Sequence, residues 1–225
     1  MPHESVILLH GLCRTARSTR PMAQALAGAG YSVVNIDYPS RSASILELAE
    51  STIPSALKSP EVIKSHKIHF VTHSMGGILL RSFLSRHKIK GLGRVVMLSP
   101  PNQGSEVVDN LKGVALFQWL NGPAGQELGT DENSTPNRLG GVDFELGVIT
   151  GDRSINWINS LMIAGPDDGK VSVARTKVQG MREHIVLHVV HPLIMRSPQV
   201  QSAALQFLSS GRFENCPKSV RRATN

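Results

Sequence analysis

An α/β architecture, a mostly parallel sheet with helices on both faces, is what this sequence predicts, on three observations. Short runs rich in Val, Ile and Leu alternate with amphipathic stretches along most of the chain, the order expected of β-α units. The runs are apolar at nearly every position rather than at alternate ones, as strands covered on both faces must be. At 225 residues, with 40% hydrophobic and 18% charged residues, the chain is long enough to bury one substantial core, and it shows no internal repeat or low-complexity segment. A single domain over residues 1–213 is expected, followed by a basic tail over 214–225.

Six strands are expected: Ser5 to Leu9, Ser32 to Ile36, Ile68 to Thr72, Val95 to Leu98, Phe144 to Ile149 and Ile185 to Val190. Helical patterns fall between them near Arg20 to Ala29, Ile45 to Lys58, Gly76 to His87 and Gln199 to Ser209. After the fourth strand the rhythm stops. Residues 100–141 carry no strand signal, and the apolar stretch Val107 to Leu120 runs into GPAGQELGTDENSTPNRLGG. An insertion of this length is usually a lid or binding loop. Val114, Leu116, Phe117, Trp119 and Leu120 offer more apolar surface than one helical stripe needs, which favours a lid or pocket wall over a core helix. Phe117 and Trp119 are therefore candidate pocket residues.

Composition excludes several classes. The apolar runs are too short to cross a bilayer, so no membrane span is expected. The opening MPHESVILLHG lacks a basic n-region, so it does not read as a secretory signal and a cytoplasmic location is expected. Cys13 and Cys216 then fit reduced thiols, with Cys13 a packing residue. The formal charge is +7, but Lys and Arg are scattered, clustering only from Lys218 to Arg222, so no nucleic-acid partner is implied. Neither G-x-G-x-x-G nor a Walker motif occurs, and neither His66, His69 and His73 nor His184, His188 and His191 follow a zinc signature; neither a nucleotide cofactor nor a metal is expected.

The chemistry is concentrated in FVTHSMGGILL, Phe70 to Leu80. A hydrophobic strand ends in a Ser, and two glycines open an apolar helix, which is the outline of a nucleophile elbow. A Ser hydroxyl attacks only when a base takes its proton and fixed donors receive the oxyanion. The elbow pattern asks for Gly two residues before the Ser, and Thr72 stands there. The alternative for Ser74 is a helix cap in a relaxed conformation. Support comes from VILLHGL, Val6 to Leu12, where a strand ending in His-Gly leads into a flexible loop. The amides of Leu12 and Met75 are the candidate oxyanion donors, and His10 and His73 are candidate pocket residues.

LLHGL, THSMGG and SPPNQGSEVVDNL together resemble the oxyanion loop, nucleophile elbow and post-nucleophile strand exit of the α/β-hydrolase superfamily, in its lipase and esterase branch. The resemblance covers most of the chain and implies a small member, since the first strand leads straight into the oxyanion loop. Two departures stand out: Thr72 in the elbow, and Pro101-Asn102 where the lipases commonly have Pro-His, a change expected to touch only the pocket rim.

The order of that family, Ser then Asp or Glu then His, places the acid and base in the C-terminal half. His184 and His188 would share a face of the last strand, while His191 falls at its end, where an imidazole can reach over the sheet edge. His191 is the chosen base and His188 the alternative. PDDGKVSV resembles the lipase D-G-x-V segment, which makes Asp168 the acid, beside Asp167. Asp152, directly after the fifth strand, is the competitor. The resemblance thus implies a serine hydrolase of carboxylic esters using Ser74, His191 and Asp168, acting without a cofactor on a small ester with a hydrophobic acyl group. A thioesterase or acyltransferase would use the same residues. A non-catalytic binding protein would keep only the fold.

Overall fold

The computed structural model describes residues 3–155, 157–213 and 221–222, apart from the side chains of residues 117, 157, 221 and 222. Cys216, and residues 218–220 of the basic cluster, lie outside these. In chain order the elements are β1 (Glu4–Leu9), α1 (Arg20–Gly28), β2 (Ser32–Ile36), α2 (Ile45–Leu57), α3 (Pro60–Ile63), β3 (Lys67–His73), α4 (Met75–Leu84) and β4 (Leu92–Leu98). They continue with α5 (Glu106–Leu111), α6 (Ala115–Gln126), α7 (Thr135–Arg138), β5 (Leu146–Arg153), α8 (Trp157–Ser160), β6 (Glu183–Val190), α9 (Pro198–Ser210) and β7 (Arg221–Arg222). The sheet order is β2-β1-β3-β4-β5-β6-β7, and β1 to β6 are all parallel. All six expected strands are present. The sequence reading missed the two-residue β7, which pairs antiparallel with Ile185 and Val186.

Period-two alternation divides the strand residues between two cores. Ile7 and Leu9 of β1, Phe70 of β3 and Met97 of β4 pack against α2 and α4, through Leu48, Ile53, Ile78 and Leu79. Val6, Leu8, Val71, Val96 and Leu98 face the other way, onto Met22 and Leu26 of α1 and Val200, Ala204 and Phe207 of α9. Both faces are covered, which is why these strands read as continuous apolar runs. Local signals set the helix ends. Ser44 and Glu47 form a capping box at α2, the Ser197 hydroxyl accepts from the Val200 amide at α9, and Gly211 ends that helix at φ 76°.

The insertion after β4 is helical, and two breaks interrupt the apolar run that the sequence presents as one stretch. Residues 112–114 separate α5 from α6, and Gly122 kinks α6 at φ 63°. A Cβ on Gly122 would lie 2.0 Å from the Arg41 carbonyl, so the backbone approach there requires glycine. The insertion's ends are pinned. Ser105 donates to the Lys170 carbonyl at 2.7 Å, the Arg175 guanidinium reaches Glu106 at 2.7 Å, and Glu127 accepts from the Ile45 amide and the Thr135 hydroxyl.

Arg81 of α4 adds four hydrogen bonds to these ties. It is buried, and donates to the Asn102 carbonyl and side-chain oxygen at 2.9 and 3.1 Å and to the Pro136 and Gly140 carbonyls at 3.0 and 2.6 Å. Burial lowers its pKa to about 10, so it stays charged at neutral pH. Asn102 in turn donates to the Thr176 carbonyl at 2.8 Å. Asn102 was expected at the pocket rim; instead it is a buried link between α4, the insertion and the loop before β6, because a side-chain amide can both accept from Arg81 and donate to Thr176. Arg81→Leu should leave those oxygens buried and unpaired, and destabilise the fold by about 2–4 kcal/mol. The check is a lowered urea midpoint at unchanged m value.

Candidate active site

The parallel strands all end at one edge of the sheet, where loops after β1, β3, β4, β5 and β6 converge. β3 ends at His73 and α4 begins at Met75, so Ser74 alone makes the turn between them. Its φ of 52° and ψ of −125° lie outside both helical regions, which is incompatible with a relaxed cap. The turn is held by Ser74 N–H donating to the Leu98 carbonyl at 2.9 Å and Gly77 N–H donating to the Ser74 carbonyl at 3.0 Å. Cys13 (φ 56°) and Ser99 (φ 45°) are the other non-glycine residues with positive φ among those described. All three stand at this edge, where strain of order 1–3 kcal/mol each is held by the surrounding packing.

Crowding at the turn explains its glycines and its threonine. A Cβ on Gly76 would meet the Leu9 and His10 carbonyls at 2.8 and 2.7 Å, so α4 passes too close to β1 for any side chain there. Thr72 is accommodated differently. Its Oγ1 lies 3.2 Å from where a Cβ on Gly77 would stand, and Met97 Sδ 3.1 Å from the same point. The second glycine therefore makes room for the side chain that the elbow pattern excludes. Gly77→Ala should destabilise by about 1–3 kcal/mol, and Thr72→Ala should recover part of that loss in the double variant, as a positive coupling in a double-mutant cycle. Purely additive effects would refute the compensation.

Over Ser74 runs the loop after β1. A Cβ on Gly11 would lie 3.1 Å from the Ser74 Cβ, a tight contact, so a glycine there lets the loop pass close to Ser74. Met75 opens α4, and its N–H precedes the intrahelical ladder. His10 does not join the pocket as expected. It is fully buried, stacked on Tyr38 at 4.0 Å, with Nδ1 2.9 Å from the Gly11 carbonyl and the Tyr38 amide donating to Nε2 at 3.3 Å. Burial outweighs the nearby Asp37 carboxylate and lowers its pKa, so it is a neutral brace for the loop.

Asp168 and His191 meet at 2.7 Å, Oδ2 to Nδ1, with both side chains buried. The His191 amide also donates to the Asp168 carbonyl at 3.0 Å. Asp168 Oδ1 accepts from the amides of Lys170 and Val171 at 3.1 and 3.0 Å. Burial alone would raise the Asp168 pKa, but the His191 charge, its hydrogen bond, the Ser99 hydroxyl and the Val171 amide together hold it below its ordinary value. Ser99 is a contributor that sequence reasoning missed. Its one signal is position, directly after β4.

A cavity of about 160 Å³ joins these groups: Ser74, His191, His73, Gly11 and Leu12 line it together with Val107, Val108 and Leu128. His73 is buried with its ring 4.8 Å from that of His191. The His191 carbonyl faces it, yet neither ring nitrogen completes a hydrogen bond among the described residues. Burial, then the charge of His191, push its pKa well down. Trp119 was expected in this pocket; it is 75% exposed and lines an open groove instead, because Asn121, two residues on and about half a helical turn round, is the residue of α6 that faces the cavity. The side chain of Phe117 lies outside the described residues. Cys13 is exposed, not packed, and its thiol reaches the Leu120 carbonyl at 3.3 Å.

The competing pair is also formed. Asp152 Oδ1 lies 2.7 Å from His188 Nδ1, but His188 is largely exposed and neither residue lines the cavity. His184 is buried against Thr150 and Thr176. Among the described residues, no group of three or more His, Cys, Asp or Glu side chains stands where a metal ion could be held, and no helix is long and apolar enough to cross a membrane.

A doubly covered parallel sheet with a strained serine turn after β3 and an Asp–His pair beside it defines the α/β-hydrolase fold. The chain matches the model of the alpha/beta hydrolase family over residues 6–186 and belongs to that family. Among solved structures it is similar to the mature lipase BlEst2 of Bacillus licheniformis, at 18% identity and TM-score 0.70, covering 92% of this chain and 94% of that one. It is also similar to the phospholipase PlaB of Legionella pneumophila, at 19% identity and TM-score 0.63, covering 77% of this chain and 45% of that one. A thermophilic esterase from Thermogutta terrifontis aligns at 13% identity and TM-score 0.58 over 93% and 91% of the two chains. No curated protein matches the sequence.

Proposed function

We propose that the protein hydrolyses carboxylic esters through an acyl-enzyme on Ser74. The observation that carries this reading is the buried 2.7 Å bond between Asp168 and His191, with His191 lining the same cavity as a serine held at φ 52°. Ser74 Oγ attacks the carbonyl carbon as His191 Nε2 takes its proton, while Asp168 on Nδ1 holds the tautomer and stabilises the imidazolium. The oxyanion forms against the amides of Leu12 and Met75. Collapse expels the alcohol, which takes the proton from His191. Water then attacks the acyl carbon, passes its proton through His191, and releases the acid and free Ser74. Val107, Val108 and Leu128 give this cavity an apolar wall, which suits a hydrophobic acyl group, and they make the insertion a pocket wall in this reading.

A fluorophosphonate probe tests it. Labelling of the wild type but not of Ser74→Ala is expected, and equal labelling of the two would sink the assignment. A wild type that takes no label and cleaves no ester would instead favour a binding protein. A thioesterase or an acyltransferase is distinguished by faster turnover of a matched thioester or by acyl transfer to an added alcohol.

A further inference from the structure

Two recesses meet at the loop after β1. The Ser74 cavity is about 160 Å³, with an apolar wall of Val107, Val108 and Leu128 and with Arg14 and Lys170 also on its lining, and its volume is close to the roughly 150 Å³ cavity that holds a single benzene in another protein. The second is an open groove of about 920 Å³ between the loop after β1, residues 37–42 after β2, and Trp119. Cys13 and Arg14 line both, so the two adjoin at that loop.

The groove is charged, and unequally so. Arg14 and Arg41 face a single carboxylate, Asp37, and that carboxylate already accepts from the Ala16 amide at 3.1 Å and lies 3.3 Å from His10 Nε2. Among the described residues neither guanidinium has an acidic partner; Arg41 donates to the Leu120 carbonyl at 3.2 Å. The charge of Arg14 is felt inside the small cavity, where it disfavours protonation of His73. Guanidinium groups without carboxylate partners, beside an exposed indole, are suited to a carboxylate, sulfonate or phosphate oxyanion.

We propose, resting on the ester-hydrolase reading above, that the substrate is a short-chain ester of a larger, anionic alcohol, with the acyl group in the Ser74 cavity and the anion between Arg14 and Arg41. The assignment of the two arms follows from the order of events. The acyl group stays bonded to Ser74 after the alcohol leaves, so the smaller, less open cavity suits the acyl group and the open groove lets the alcohol depart first. An acyl chain longer than about six carbons exceeds the cavity.

The test uses the full chain and butyrate esters of three alcohols: 3-sulfopropyl, 3,3-dimethylbutyl and choline. The expected order of kcat/KM is anionic over neutral over cationic, with about tenfold at each step at low salt. The anionic-to-cationic ratio should fall to within about threefold in the Arg14→Gln/Arg41→Gln variant, survive in part with Lys at both positions, and shrink in the wild type at 1 M salt. Dodecanoate esters of the same alcohols should be poorer by about a hundredfold. A ratio near one in the wild type, a ratio unmoved by the double Gln variant, or a charge preference that instead follows an anion on the acyl side, as in a hexyl succinate monoester, would each overturn the proposal. Cleavage of the neutral ester without charge preference would leave the hydrolase reading standing; no cleavage of any ester and no probe labelling would overturn both.

Discussion

Replacing Ser74 by Ala is expected to lower kcat/KM for ester hydrolysis by about four to six orders of magnitude. The substitution removes the oxygen that forms the acyl bond in the proposed reaction, while leaving the Asp168–His191 pair and the loop amides in place. What remains is the binding and oxyanion stabilisation that those groups give an attacking water, worth about 10³–10⁴ over the uncatalysed reaction. Fold loss would not explain the result, because Ala occupies the φ 52° turn with the same Cβ penalty as Ser. The thermal midpoint should therefore move by no more than a few degrees, roughly the shift produced by 0.5 kcal/mol. A variant that keeps a tenth of wild-type turnover would place the nucleophile elsewhere.

The second large effect separates two pairs with the same geometry. Asp168–His191 and Asp152–His188 each span 2.7 Å, but the first has side-chain exposures of 0% and 5%, the second 23% and 61%. At a given distance a charge pair gains about fourfold more at an effective dielectric of 20 than in bulk water, and only the buried imidazole shares a cavity with Ser74. Asp168→Asn should lower kcat by about 10⁴, because the amide favours the wrong His191 tautomer and leaves the imidazolium unsupported. Asp152→Asn should stay within about threefold of wild type, as exposed pairs contribute little. Collapse of the second variant alone would reverse the assignment.

The same carboxylate carries a stability consequence with a definite sign. Because the native pKa of Asp168 lies below its ordinary value, the unfolded chain takes up the proton first as pH falls. Its contribution is complete above about pH 4 and is lost as pH drops through the depressed native value. Urea midpoints of Asp168→Asn should accordingly fall less steeply than those of the wild type on the acid side.

Much of the fold was legible because it is local. Val6, Ile7, Leu8 and Leu9 read as a doubly covered strand without any knowledge of what covers them, and Ser44 and Glu47 mark a helix start within four residues. The candidate nucleophile was legible for the same reason, since strand, Ser74 and glycines are contiguous. The short β7 was missed because two residues paired across a tail carry no periodicity. Arg81 gave no signal and Asn102 was placed at the rim, because their partners come from the insertion and the loop before β6, up to 74 positions away. His10 and Trp119 were misplaced for a related reason: proximity in sequence to Gly11 or to the insertion does not say which way a side chain turns.

By itself the sequence determined the fold class, the order of the strands along the chain and the serine turn, since these rest on short-range periodicity and backbone sterics. Only the tertiary structure decided which Asp–His pair shares a cavity with Ser74, since both pairs form at 2.7 Å and differ in burial and in what they line. It also decided how Thr72 is tolerated, through the space left at Gly77, and it brought Arg14 and Arg41, from loops after different strands, to one groove. These are facts of packing between segments distant in sequence, where no local pattern encodes which surfaces meet.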